Sequence, residues 1–348
     1  MSRFRILFIV IVSLVLFSSL NCGTVQQTPR KTDLTGFVPG IIPSEATLTI
    51  TDKPTDVIIH INAPNAELID PRKKTRLIYF ALPNGNSIEW TGGKKMLEGD
   101  DWHYDIQHIA AQTRYLRHKL DNFNIITVYL ATKQKSWPAW KKAYPDYPER
   151  IQSLFNAVNA RFENLNPMVT LNSHSGGGSF IFGYLDGVTD IPVIIDRFAF
   201  IDSDYGYEEK YGHQLANWLK IDKDRYLNVL AYNDSVVIYN GKPLVSPTGG
   251  TWYRSKLMQA HLSREFKFKS QTDTGFIRSQ ALSGRIQFVL KQNPKALIFH
   301  THQVGLNGFI FSNLSGTKEI KKTKFTYFGD QVYNEFIYSQ PEAPGLTN

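Results

Sequence analysis

The first residue in the chain whose surroundings suggest chemistry is a serine held between small residues. "LNSHSGGGSF", residues 171–180, spaces Ser173, Ser175 and Gly177 as S-x-S-x-G, and three glycines follow Ser175 directly. A serine hydroxyl attacks a carbonyl only when a base takes its proton, and that base needs a carboxylate to fix its tautomer. The chemistry in view is therefore acyl transfer, provided the chain builds a turn that exposes Ser175 and brings a base to it.

The elements that must position such a serine follow from hydrophobic patterning. "ATLTI" and "DVIIHINAP" read as an opening antiparallel pair, short and β-branched on either side of "TDKPT". Strand-like runs then alternate with helix-like ones. The strands are "RLIYFALP" (76–83), "NIITVYLA" (124–131), "MVTLNS" (168–173), "DRFAFID" (196–202), "YLNVLAYND" (226–234) and "KALIFH" (295–300). Between them, helices are expected at 101–120, 148–165, in "GSFIFGYLDG", in "GHQLANWLK" and in "YRSKLMQAHLSREF". Continuous apolar strands separated by helices predict a mostly parallel central sheet flanked by helices on both faces, an α/β fold. Ser175 then sits at a strand-turn-helix junction. A sharp turn there forces its backbone into an unfavourable conformation, which small residues two places to either side relieve.

That junction resembles the nucleophile elbow of the α/β-hydrolase superfamily, G-x-S-x-G or a small-residue variant, with Ser173 standing where glycine is usual. The resemblance spans about residues 45–315 in the order of elements, while its sequence signal is confined to "SHSGGG" and a few strand ends. It implies Ser175 as nucleophile, followed in chain order by an acid and a histidine. Two histidines follow the last strand, His300 and His302 in "ALIFHTHQVGLNGF", and an extended backbone would point both to one side. His300 is favoured, because H-x-x-Q-V-x-x-N-G-F looks like the closing segment of some exported bacterial members. The acid is Asp202 or Asp234, each ending a strand at a position that members use, with Asp204 behind them. A strand-end aspartate also caps a following helix, so this choice stays open. For the oxyanion, the resemblance implies backbone N–H groups of Gly176 and of Asn86 in "ALPNGNSIEW", although P-N-G-N is also simply a good turn. His174, beside the nucleophile, is expected to point away from substrate.

Other chemistries find less support. Neither H-E-x-x-H nor C-x-x-C occurs, His300 and His302 lack an evident third ligand, and no metal is expected. "SGGGS" lacks the lysine of a phosphate loop and the spacing of a dinucleotide fingerprint, so no cofactor is expected. No dense basic run with interleaved aromatics indicates nucleic acid; "PRKKTR" at 71–76 reads as the solvated start of a strand. The expected partner is a small-molecule ester or amide. Aromatic-rich 133–150 and the stretch after Asp234 are expected to wall its pocket.

The chain opens with Arg3 and Arg5 ahead of an apolar run, Ile6 to about Phe17, the layout of an export signal. Cys22, the only cysteine, stands where a bacterial lipoprotein signal is cleaved and the new N-terminus acylated. Residues 1–21 are expected to be that signal, 22–45 a polar tether and 46–348 one α/β-hydrolase-like domain, held at the cell envelope by a lipid on Cys22 or else secreted. Loss of the signal lowers the formal charge from +8 to +6, since two arginines leave and no acid does. Without its cysteine thiol the mature chain has no disulfide, so its stability comes from the core.

Overall fold

The structure, a computed structural model, describes residues 34–96, 98–99 and 106–338, all within the unit Lys31–Asn348. The signal, Cys22, tether residues 22–33 and His103 lie outside the described residues.

Eight strands precede the first long excursion: β1 (Val38–Pro39), β2 (Glu45–Asp52), β3 (Val57–Pro64), β4 (Lys74–Ala81), β5 (Phe123–Thr132), β6 (Met168–His174), β7 (Ile195–Ile201) and β8 (Tyr226–Tyr232). A small hairpin of β9 (Ile238–Tyr239) and β10 (Lys242–Pro243) follows, and then β11 (Lys269–Thr272), β12 (Phe276–Ala281) and β13 (Ile286–Lys291). The helices are α1 (Ile88–Gly92), α2 (Ile109–Lys119), α3 (Trp137–Ala143), α4 (Tyr147–Ala160), α5 (Gly178–Asp186), α6 (Glu209–Ile221), α7 (Thr251–Leu262), α8 (His302–Gly305) and α9 (Gly308–Leu314).

All strands but the small hairpin join one 11-stranded sheet in the order β1-β2-β3-β5-β4-β6-β7-β8-β13-β12-β11. Neighbours from β5 to β13 pair in parallel, while β1, β2 and β3 on one side and β12 and β11 on the other are antiparallel. The sheet is therefore mixed, with a parallel centre, where a mostly parallel one was expected. Alternation along β4 shows why the centre reads as unbroken apolar sequence. Leu77, Tyr79 and Ala81 enter the core beneath α3 to α7, and Ile78 and Phe80 enter the one shared with α2, α8 and α9. In α4, Ile151, Leu154, Phe155 and Val158 make the buried stripe at helical spacing, behind a proline in the first turn.

Three expectations need correction. The last parallel strand is Ile286–Lys291, and residues 295–300 are irregular. The Asn293-Pro294 step ends the run: the Asn293 side chain accepts from Leu297 N–H and donates to its carbonyl, and both Leu297 and Ile298 are exposed. The helix expected at 101–120 spans Ile109–Lys119, because His108 takes a left-handed backbone conformation ahead of it. The folded body also begins before residue 46. β1 pairs with β2, and buried Glu45 holds Arg114 and Arg117 at 2.8 and 3.1 Å, so residues 34–45 are part of the sheet's edge.

Two further buried guanidiniums, Arg76 and Arg197, lie at the C-terminal end of α9. Arg76 donates to the Asn313 carbonyl at 3.2 Å, and Arg197 to those of Ser312 and Ser315 at 3.0 and 2.9 Å. Helix-end carbonyls carry partial negative charge and need donors. These contacts fasten α9, and with it the segment after His302, to the sheet.

Candidate active site

Ser175 links β6 to α5 with φ of 53°, a left-handed backbone that disfavours a side chain. The crowding around it explains the glycines. A Cβ on Gly177 would stand 2.1 Å from the Ala81 carbonyl oxygen, and one on Gly178 would stand 1.7 Å from that of Ser203. No side chain fits at either position without moving a neighbouring strand end. Ser173 is accommodated because its hydroxyl meets that of Ser203 at 2.8 Å in the interior.

The next parallel strand repeats the device. Asp202 directly follows β7 with φ of 47°, and its carbonyl accepts the Ser175 N–H at 3.2 Å. Its fully buried carboxylate meets His300 Nδ1 through one oxygen and the Thr251 hydroxyl through the other. With Nδ1–H donated to Asp202, His300 keeps its Nε2 lone pair for accepting a proton. His174 completes this frame from the other side. Its ring lies 4.4 Å from that of His300, its Nε2–H donates to the His300 carbonyl at 3.2 Å, and its Nδ1 accepts from Gln107 Nε2 at 2.7 Å. Burial, reinforced by the charge of His300, holds the His174 pKa well below the ordinary histidine value, in keeping with a neutral scaffold. Tyr205 stands 6.4 Å away, its ring edge-on to His300.

The other candidates occupy different surroundings. Asp234 follows β8 and caps α7, accepting from Thr251 N–H at 2.8 Å and Trp252 N–H at 3.4 Å. The cap residue of that helix, Gly250, has no side chain of its own, so Asp234 supplies the missing acceptor. Burial, and then repulsion from Asp202, pushes its pKa up to about 6. Asp204 is buried against the Ser255 hydroxyl at 2.8 Å, and burial raises its pKa well above the usual carboxylate range. His302 opens α8 and packs between Phe299 and Phe328, at 5.8 and 6.4 Å. Because Thr301 already has helical dihedrals, His300 and His302 do not share the extended backbone that would aim them to one side.

Gly176 lies within the turn Ser175–Gly177 that joins β6 to α5. The turn after β4 approaches it through Asn84. A Cβ on Gly176 would come within 2.1 Å of the Asn84 side-chain oxygen. Gly85, at φ of 82°, donates its N–H to the Lys135 carbonyl at 2.8 Å, which fixes the turn, and Asn86 is buried behind it. Asn84 belongs to the P-N-G-N turn already singled out in the sequence, whereas Thr251 and Gln107, which contact Asp202 and His174, were not. Thr251 had a readable signal, since it opens a helix after two glycines; Gln107 had none.

Four further histidines have ordinary structural settings. His60 bonds Thr49, His108 and His118 pack on aromatic rings, and His261 meets Tyr207. Among the described residues no group of three or more His, Cys, Asp or Glu could hold a metal ion, and no helix is long and apolar enough to cross a membrane.

No known protein family and no curated protein matches the chain. Solved structures do resemble it. A thermostable esterase is 13% identical over 79% of this chain, at a TM-score of 0.45; the chain spans 64% of that esterase. A feruloyl esterase module from Clostridium thermocellum, complexed with sinapinate, is 9% identical over 79% of this chain and 89% of its own, at 0.45. An acetyl xylan esterase from Aspergillus awamori is 10% identical over 71% of this chain and 92% of its own, at 0.39. Each of these three structures is named as an esterase. At such identities the likeness is one of fold.

Proposed function

We propose that the chain is a serine hydrolase that cleaves an ester or amide by acyl transfer through Ser175, His300 and Asp202. The observation that carries this reading is the pair of left-handed residues that directly follow two adjacent parallel strands. Ser175 and Asp202, at φ of 53° and 47°, are tied by one backbone hydrogen bond, and the Asp202 carboxylate holds Nδ1 of His300. Strained residues persist only where surrounding packing enforces them, and they cluster at functional sites.

In the reaction, His300 Nε2 takes the proton of Ser175 as its oxygen attacks the carbonyl carbon. Asp202 stabilises the imidazolium, and the Thr251 hydroxyl keeps the carboxylate in place. Gly176 N–H holds the developing oxyanion, with Asn86 N–H in the turn after β4 as the proposed second donor. Collapse expels the alcohol or amine, which takes the proton from His300. Water activated by the same histidine then releases the acyl group and restores the serine. The Cys22 reading belongs to the same proposal: an exported enzyme, lipid-anchored at the envelope.

Ser175→Ala removes one oxygen and no packing. It should melt like the parent while losing both fluorophosphonate labelling and hydrolysis of short-chain aryl esters. His300→Ala should lose hydrolysis as well, and His302→Ala should retain it. A well-folded parent that neither labels at Ser175 nor hydrolyses any ester or amide in a broad panel would sink the proposal, leaving a fold that binds without catalysis.

A further inference from the structure

A cavity of about 420 Å³ has Asn86 and Ser87 in its wall, and Ser175 is not among its lining residues. Its floor is the face of β2, β3 and β5 that presents Thr49, His60, Asn62 and Tyr129; α1 and α2 cover it with Ile88 and Ala110, and Asn86 and Ser87 close one side. This volume falls within the range of small-molecule sites. We propose that this cavity is a ligand site for an uncharged ring bearing several hydroxyls, such as a monosaccharide.

Two of the charged groups around the cavity, buried Arg114 and exposed Lys133, are paired. Arg114 gives Nε and Nη2 to Glu45 at 2.9 and 2.8 Å and Nη1 to the Phe336 carbonyl at 3.0 Å. Lys133 is paired with Asp56 at 2.6 Å. Lys135 and Glu89, of opposite sign, are both exposed lining residues. Burial lowers the His60 pKa, which favours a neutral ring, and Nδ1 of that ring meets the Thr49 hydroxyl at 2.8 Å. What remains for a ligand is hydroxyl and amide chemistry beside apolar surface from Ile58, Ile88 and Ala131.

One group asks directly for a donor. Asn62 is 5% exposed, lines the cavity, and its side-chain oxygen has no hydrogen-bond partner among the described residues. Buried acceptors are almost always satisfied, and an O–H from a ligand would satisfy this one. A sugar ring matches the rest, with hydroxyls at its rim and an apolar face for the isoleucines. Among the described lining residues a carboxylate or phosphate would find a cation without an ion pair only in exposed Lys135, with exposed Glu89 of opposite sign also in the lining, and a purely apolar ligand would leave the Asn62 oxygen unanswered.

The site can be tested without reference to hydrolysis, by methyl NMR of the full chain labelled at isoleucine δ1 carbons, titrated with xylose, glucose and gluconate. Saturable shifts at Ile58 and Ile88 are expected with at least one neutral sugar. They should weaken by about tenfold or more in Asn62→Leu. Thr49→Val, on the exposed side of β2, should weaken them too and provides a second variant if the first does not fold. Ser175→Ala should leave them unchanged, so a failed hydrolase reading would not disturb the result. The proposal is overturned if neither neutral sugar moves these methyls, if gluconate binds more tightly than both, or if both variants bind like the parent.

Discussion

At the residue scale, two aspartates at strand ends carry different duties because different partners reach them. Asp202 holds the His300 imidazole, whereas Asp234 satisfies the first N–H groups of α7. Asp202→Asn should lower kcat by roughly 10³- to 10⁴-fold with the fold intact, since an amide no longer fixes the imidazole tautomer. Asp234→Asn, which can still accept from the helix, should lower it far less; equal and mild losses from both would remove Asp202 from its role. Asp234 also shapes stability against pH. Its carboxyl is raised from 3.8 to about 6, so between these values the folded chain holds more of the proton than the unfolded one. Folding stability from this group is therefore present below about pH 4 and falls as pH rises to about 6, by on the order of 2–3 kcal/mol. Melting curves of the parent and of Asp234→Asn should diverge in that window and run parallel above it.

At the scale of elements, the elbow is a contact between backbones, with Gly177 against the end of β4 and Gly178 against Ser203 beyond β7. Adding a methyl group at Gly178 forces its Cβ to within 1.7 Å of the Ser203 oxygen. Neither atom belongs to a flexible side chain, so the strand ends must part. Gly178→Ala should cost roughly 3 kcal/mol or more, measured by denaturant unfolding, and should abolish labelling at Ser175 even where the chain remains folded. A variant with parental stability and labelling would mean that the junction is not held as tightly as its contacts indicate. The His300 loop has its own tether, the Asn293 side chain, which donates to the Asn233 carbonyl at 3.0 Å and so joins this loop to the turn beside Asp234.

For the molecule as a whole, the sheet edge formed by residues 34–52 is fastened to α2 by Glu45. This carboxylate, 2% exposed, is shared by Arg114 and Arg117. Glu45→Gln would leave the buried Arg114 and the part-buried Arg117 guanidiniums without their counter-charge, and removal of one partner from such a cluster costs about 3–5 kcal/mol. The variant should unfold at markedly lower denaturant concentration than the parent; an unchanged midpoint would show that the edge contributes little. The proposed anchor is a separate question. Cys22→Ser should release the protein from the membrane fraction, and unchanged fractionation with an intact N-terminal peptide by mass spectrometry would point to residues 6–17 as the anchor.

What the sequence determined by itself was local. The alternation of apolar strands with amphipathic helices, and three glycines after a serine, are written within windows of a few residues, because strand period, helix period and the clearance of a sharp turn are short-range demands. The parallel centre of the sheet and the elbow at Ser175 were legible for that reason. β11 to β13 were not, since "RIQFVLK" and the strands before it mix polar residues among the apolar ones, and the apolar run at 295–300 offered a stronger pattern. Which aspartate meets which histidine rested on the tertiary structure, which pairs Asp202 with His300. Both aspartates end strands and both histidines follow them, and the contact between Asp202 and His300 spans 98 residues of chain. It depends on strand order, with β8 between β7 and β13, and on α7 reaching Asp234 first. The same holds for Asn84 over Gly176 and for the cavity beneath α1 and α2, where surfaces distant in the chain meet only after the sheet has closed its order.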